Sequence, residues 1–236
     1  MATFKKVKEQ NFMEICRTGT LEEVNRAIHS GIDVNALEED HANALFYAAM
    51  KNTPEVIKAL LMAGVSPKIT SYDGNTALMW ATATNTPEVI KLLVDAGSDV
   101  NAKRYDGLTA LMGAANKNTP EAVKILIQAG ADVNARDSNG MTALLYAAQF
   151  NKPEIVNILI DAGADDVKNQ NGDNSLMLAA LWNTPEMIET LLKAGAEIKG
   201  TDNYGKNVLD YARLNDKLKD TDALKHLTEK FMKEEA

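Results

Sequence analysis

Few side chains in this sequence have the type and spacing that chemistry requires. Two carboxylate pairs, Glu22-Glu23 and Asp165-Asp166, are the first candidates for acid–base work. Adjacent residues on a chain rarely converge on one substrate, so a solvated acidic surface is the plainer reading. The single thiol is Cys16, and the three histidines, His29, His41 and His226, lie far apart. No Cys or His cluster has metal-ligand spacing. Neither a phosphate-cradling G-x-x-x-x-G-K-[ST] nor a G-x-S-x-G nucleophile turn occurs. No catalytic, cofactor-binding or metal-binding residue is therefore expected. What remains is a set of exposed-surface candidates rich in Tyr and Trp, the residue types enriched where proteins meet.

Composition narrows the partner. The 25 Lys and Arg are outnumbered by 33 Asp and Glu, for a net charge of −8. Such a chain is repelled by phosphate backbones, so nucleic acid is not the expected partner. No apolar run reaches the roughly 18 residues that span a bilayer. The opening MATFKKVKEQNF is basic but has no apolar core, so it does not read as a secretory signal. One cysteine cannot form an internal disulfide, which fits a reducing compartment, and a cytoplasmic protein is expected.

The elements that must position any site come from an internal repeat. Residues 74–106 read GNTALMWATATNTPEVIKLLVDAGSDVNAKRYD, and residues 107–139 read GLTALMGAANKNTPEAVKILIQAGADVNARDSN. In register, 18 of the 33 positions are identical. Each repeat has a short apolar helix, a loop opening a second helix, and an extended, turn-rich finger. Leu45, Leu78, Leu111 and Leu144 keep the period, as do Gly31, Gly64, Gly97, Gly130 and Gly163. Repeats of this length stack so that neighbours bury each other's apolar faces.

The pattern resembles the ankyrin repeat, through Gly107, Thr109, Leu111, Ala114, Ala115, Glu121, Val123, Leu126, Gly130, Ala131, Asp132, Val133, Asn134 and Ala135. The Asn-Thr-Pro-Glu loops and Thr-Ala-Leu-Met openings resemble bacterial members; an engineered origin is the alternative to this evolved one. The resemblance implies an all-α solenoid of helix-turn-helix units joined by hairpin-like loops. The family signature carries His where Phe46, Met79, Met112, Leu145 and Met177 stand here. Apolar contact is expected to replace that histidine's hydrogen bonds.

Taken in order, one domain of residues 1–236 is expected. Its repeats are 8–40, which is degraded and cap-like, then 41–73, 74–106, 107–139, 140–171 and 172–204, with a C-terminal cap at 205–236. Cys16 falls near the position of the alanine pair and reads as a small buried hydrophobe. His41 stands at a turn where later repeats carry Gly, so a positive φ is expected there. In the loop Asn85-Thr86-Pro87-Glu88 and its copies, Asn is expected to end one helix in the left-handed region and Thr to cap the next. Pro and Glu suit the first turn of that second helix. Val65-Ser66-Pro67-Lys68 predicts an irregular finger, and Asp165-Asp166-Val167-Lys168 a shortened one. Leu218, Leu224, Leu227 and Phe231 predict a final helix.

The resemblance also implies where a partner would sit: finger tips, first-helix ends, and a half-exposed site two residues after the repeat Leu. The first set contains Tyr72, Arg104 and Tyr105, and the second Asn116, Lys117, Phe150, Leu181 and Trp182. The third contains Trp80 and Tyr146, which either pack between repeats or face the partner. The function implied is non-enzymatic binding of another protein through the concave face, by a monomer. The alternatives are a regulatory fragment of a larger enzyme or signalling protein, or a small-ligand binder. A third possibility is that finger asparagines such as Asn101 and Asn134 are substrates for hydroxylation.

Overall fold

The structure is a computed structural model that describes residues 11–84, 86–117, 119–150 and 152–233. Its helices come in pairs. The first, α1, is described over residues 11–18 and precedes α2 (Leu21–His29). Then follow α3 (Ala44–Lys51) with α4 (Pro54–Met62), α5 (Ala77–Thr84) with α6 (Pro87–Asp95), and α7 (Ala110–Lys117) with α8 (Pro120–Gln128). Next come α9 (Ala143–Phe150) with α10 (Pro153–Asp161), and α11 (Ser175–Trp182) with α12 (Pro185–Lys193). The last two are α13 (Val208–Ala212) and α14 (Asp222–Lys233). Among the described residues there is no strand; extended segments make only the isolated bridges Thr70–Thr76 and Thr201–Asn207. The architecture is thus the series of helix-turn-helix units that the repeat period predicts.

The chain divides into two compact halves. One holds the residues up to Tyr105 together with Gln128–Ala131; the other holds Asp106–Ile127 and the chain from Asp132 onward. Within the N-terminal half, α3 packs on α5, α2 on α4, and α4 on α6. Within the C-terminal half, α7, α9, α11 and α13 pack in succession, as do α10, α12 and α14. Helices of 8 and 9 residues are too short to persist alone. They persist because the repeat leucines Leu45, Leu78, Leu111 and Leu144 are buried, each against its neighbours. Phe46, Met79, Met112, Leu145 and Met177 are buried as well, so contact at that position is apolar. Cys16 is fully buried, and burial pushes its thiol up to about 12, which leaves it a neutral packing group.

The turns carry two corrections to the sequence reading. Asn52 and Asn183 do not end their helices in the left-handed region; both are extended, with φ −92° and −107°. Their side chains do the work instead. The Nδ2 of Asn52 donates to the carbonyls of Cys16 (2.7 Å) and Gly19 (3.2 Å), one repeat back, while its Oδ1 accepts from the amide of Thr53 (2.8 Å). Asn183 bonds Ala148 and the amide of Thr184 in the same way. In the cap, the Nδ2 of Asn215 donates to the carbonyls of Ala180 (3.0 Å) and Asn183 (2.9 Å). The equivalent Asn85, Asn118 and Asn151 lie outside the described residues. The second correction is that Thr53 and Thr184 stand at N-caps but make no side-chain cap bond. The Thr53 hydroxyl instead serves the Glu55 carboxyl and holds it below its ordinary value. Thr119 does cap, accepting from the amide of Ala122 (3.4 Å). Leu218, expected in the last helix, is buried in the turn before it.

An asparagine that fastens one repeat to the last is worth more than a threonine that fastens nothing. Asn215→Ala leaves buried carbonyls unpaired and should cost roughly 1–3 kcal/mol. Thr184→Ala should cost under about 0.5 kcal/mol. Urea melts of the two variants check this; a larger loss for Thr184→Ala contradicts it.

A candidate protein-binding surface

Finger loops hold the partner-facing candidates, and their own turns fix them. The carboxylates of Asp33, Asp99 and Asp132 each accept from the amide two residues on, at 2.9–3.1 Å. At the finger predicted to be irregular, Ser66 replaces the aspartate and its hydroxyl accepts from the amide of Lys68 (3.3 Å). The turn there is therefore regular, because a hydroxyl supplies the acceptor the carboxylate would have given. Asn35, Asn101 and Asn134 then donate across to the carbonyls of Gly64, Gly130 and Gly163, at 3.0–3.2 Å. The finger at 165–168 differs. It has no such turn, and the Asp166 carboxylate accepts from the amide of Ser175 (3.0 Å) at the start of α11.

In the N-terminal half, Tyr72 and Tyr105 are exposed, whereas Trp80 and Arg104 are half-buried. Tyr72 is not an idle side chain in water. His41 takes φ 70° at its turn, and its ring stacks on that of Tyr72 at 5.4 Å. The His41 Nδ1 also lies 3.0 Å from the Thr70 carbonyl oxygen. Tyr105, 81% exposed, is the barest aromatic of the candidates.

The C-terminal half brings several candidates together. A groove of about 440 Å³ is lined by Tyr146, Leu181 and Trp182 from the first helices and by Asn139, Asn169, Gln170 and Asn171 from the fingers. Met141, Gln149, Asp173, Met177, Leu178 and Tyr211 complete its wall. Phe150 and Trp182, at the ends of α9 and α11, are 55% and 53% exposed. Lys117 is exposed and Asn116 half-buried at the end of α7.

The half-exposed tyrosines have internal partners. Tyr146 packs against Met141, Leu145 and Leu178, and its hydroxyl donates to Asp137 (2.8 Å) in its own finger. Tyr211 donates within reach of two carboxylates, Asp173 (2.9 Å) and Asp202 (2.6 Å). Burial first, then these two acceptors and their charges, hold the Tyr211 phenol well above its ordinary value. Burial pushes the Asp202 carboxyl up, but donors from Tyr211, Lys206 and Tyr204 outweigh it and keep it below the usual carboxylate range. Tyr47, at the same site in the N-terminal half, is also raised, by burial and then by the charges of Asp40 and Glu38. Tyr146 and Tyr211 are thus struts from first helix to finger, each half-buried.

Sequence reasoning missed the amide-rich finger face of the groove, Asn169 to Asn171, because amides carry no signal in a scan for chemistry. It also missed Tyr204 and Leu214, both exposed. Leu214 lies 32 residues beyond Trp182, in the repeat whose helix pattern has loosened. Among the described residues, no group of three or more His, Cys, Asp or Glu could hold a metal ion, and no helix is long and apolar enough to cross a membrane.

The family model for ankyrin repeats, in three copies, matches residues 12–104 and 98–170. The match covers more than half of the chain, and this protein belongs to the ankyrin repeat family. Members of that family generally bind other proteins and are typically not enzymes. A search of curated proteins returns no match.

The Tyr211 strut gives a pH signature. A phenol raised in the fold contributes stability below its ordinary value of about 10, and that contribution is lost as pH rises through the folded value. A depressed carboxyl contributes above its ordinary value of about 4, and that is lost as pH falls through the folded value. Tyr211→Phe should therefore cost about 1–3 kcal/mol near neutrality. Its deficit against the parent should shrink above about pH 10 and below about pH 4. Chemical denaturation across pH measures this; a deficit independent of pH contradicts it.

Proposed function

We propose that this chain is a non-enzymatic protein-binding module, a monomer whose partner docks on finger tips and first-helix ends, the concave face in this family. The observation that carries the reading is the pairing of exposed Trp182 with the groove beside it in the C-terminal half. A large aromatic next to a pre-formed cleft is the arrangement of a binding anchor. Phe150 extends the same surface, and Tyr105 with Arg104 offers a separate contact on the N-terminal half. Tyr146 and Trp80 contribute mainly by shaping the surface, since both are half-buried and Tyr146 is tied to Asp137. Asn116, Lys117 and Leu181 fill the spaces between these anchors.

The test starts from the partner captured from the native organism. Trp182→Ala and Tyr105→Ala should weaken its binding by about 1–4 kcal/mol. Each should leave thermal stability within about 1 kcal/mol, because both side chains are solvent-exposed. Lys91→Ala and Lys124→Ala, on the exposed sides of α6 and α8, should leave binding unchanged. If the lysine changes abolish binding and the aromatic changes do not, the partner uses the outer helices and the proposal fails.

A further inference from the structure

The residue before the turn glycine of each finger (His41 in one) changes type along the chain: Asp40, Asp73 and Asp106, then Asn139 and Asn171 at the groove. Asp40 and Asp106 hold their own turns, accepting from the amides of Ala42 (3.1 Å) and Leu108 (3.2 Å). At Asn139 and Asn171 other side chains have taken that duty. The amides of Met141 (2.8 Å) and Asp173 (2.9 Å) donate instead to Asp137 and Asn169. Asn139 and Asn171 are exposed and line the groove, as does Gln149, half-buried near the end of α9. Among the described residues, these three side-chain amides have no hydrogen-bond partner. The lining holds no Lys, Arg or Glu. Its one carboxylate, Asp173, accepts on one oxygen from the Tyr211 hydroxyl (2.9 Å) and on the other from the Asn169 amide (3.1 Å). An occupant therefore meets free amides, no cation, and no carboxylate oxygen that lacks a donor.

Free amides select an occupant whose own backbone is unpaired. A side-chain amide offers donors and an acceptor carbonyl, which match those of a peptide backbone. An α-helix pairs its backbone groups with one another except at its ends. A polyproline II segment makes no internal hydrogen bond and leaves its carbonyls open. The other wall of the groove is aromatic: Trp182 is exposed, and Tyr146 and Tyr211 are half-buried. Aromatic-lined grooves are surfaces on which proline rings pack. The spacing agrees. Helices α9 and α11 pack on each other, and packed helices stand about 8–10 Å apart. Three residues of polyproline II rise about 9.3 Å and bring a side chain back to the same face. A β-strand returns to one face at about 6.6 Å or 13 Å.

We infer that the groove receives an uncharged, proline-rich segment of the partner in the polyproline II conformation. The inference rests on the protein-binding reading and specifies what the partner presents. The carbonyls of the segment accept from the amides of Asn139, Gln149 and Asn171, and its proline rings lie against Trp182 and Tyr146.

The test titrates the protein with a synthetic peptide of about nine residues, a repeat of Pro-Pro-Leu triplets blocked at both ends. One control is its mirror image, built from D-residues, with the same composition and the opposite hand. A second replaces the prolines by glycine, which removes the preformed conformation. A third is a helical peptide of alanine with the same leucines. Calorimetry should give the Pro-Pro-Leu peptide at least about tenfold tighter binding than each control, and its affinity should not change as salt rises. Asn139→Asp with Asn171→Asp should weaken it about tenfold, because a carboxylate cannot donate. The melting temperature should not change, since Asp already stands at this position in other repeats. Equal binding of the mirror-image peptide overturns the inference, and so does tighter binding of the helical peptide, parental binding by the double variant, or no binding of any peptide. An affinity that falls steeply with salt overturns the uncharged segment. Sedimentation showing a dimer that Trp182→Ala dissolves also overturns the inference, since a second copy then fills the groove. If the peptide fails while Trp182→Ala still releases the captured native partner, the polyproline II segment is wrong and the protein-binding reading stands. If that partner is held equally by Trp182→Ala, the reading itself fails.

Discussion

Helices of 8 or 9 residues cannot hold themselves together in water, and everything else in this protein follows from that limit. Each must bury its apolar face on the repeat before and the repeat after. The chain meets the requirement in two ways. The repeat leucines and the alanines beside them are buried. Asparagine amides then join the backbone of one repeat to the backbone of the last, at Asn52, Asn183 and Asn215 beside the helices and at Asn35, Asn101 and Asn134 in the fingers. Both devices act between neighbours, so stability is built locally and the same geometry recurs wherever the residues recur.

The same scheme leaves one set of side chains in solvent. The amides and leucines hold the repeats, and the last side chain of each first helix from α3 to α11 is exposed. The sequence varies there: Lys51, Thr84, Lys117, Phe150, Trp182 and then Leu214 in the cap. Only the C-terminal half fills the position with large apolar groups. The two tyrosine struts beside the groove keep their hydroxyls on carboxylates in the fingers, which ties the helix side of the cleft to its finger side. On the proposed reading, a cleft tied in this way lets binding energy go into contacts instead of ordering.

Much of this was legible in the chain itself. The period, the helix pairing, the buried leucines, the positive φ at His41 and the burial of Cys16 all follow from register and residue type. What was misread were the places where two residue types can do one job. Asn at a helix end suggests a left-handed cap, but here its amide finds carbonyls a repeat away that no local rule can see. Thr before Pro suggests a cap bond, yet at Thr53 the hydroxyl goes to Glu55. Val65-Ser66-Pro67-Lys68 suggests an irregular finger, yet the Ser66 hydroxyl accepts the bond that an aspartate would. Of the candidate surface, Phe150 and Trp182 could be picked out by register alone. Leu214 could not, because the first-helix pattern has loosened in the cap, and neither could the groove, whose amides gather from two finger loops and the end of α9.

The central claim is that the first-helix ends of the C-terminal half form the binding surface. Hydrogen exchange of the protein with and without its captured partner tests it most directly. The account predicts slowed exchange at the C-terminal ends of α9 and α11, in the turn around Leu214 and in the finger at 169–171, with α10 and α12 unchanged. Slowed exchange confined to α10 and α12, with the first-helix ends unaltered, would contradict it.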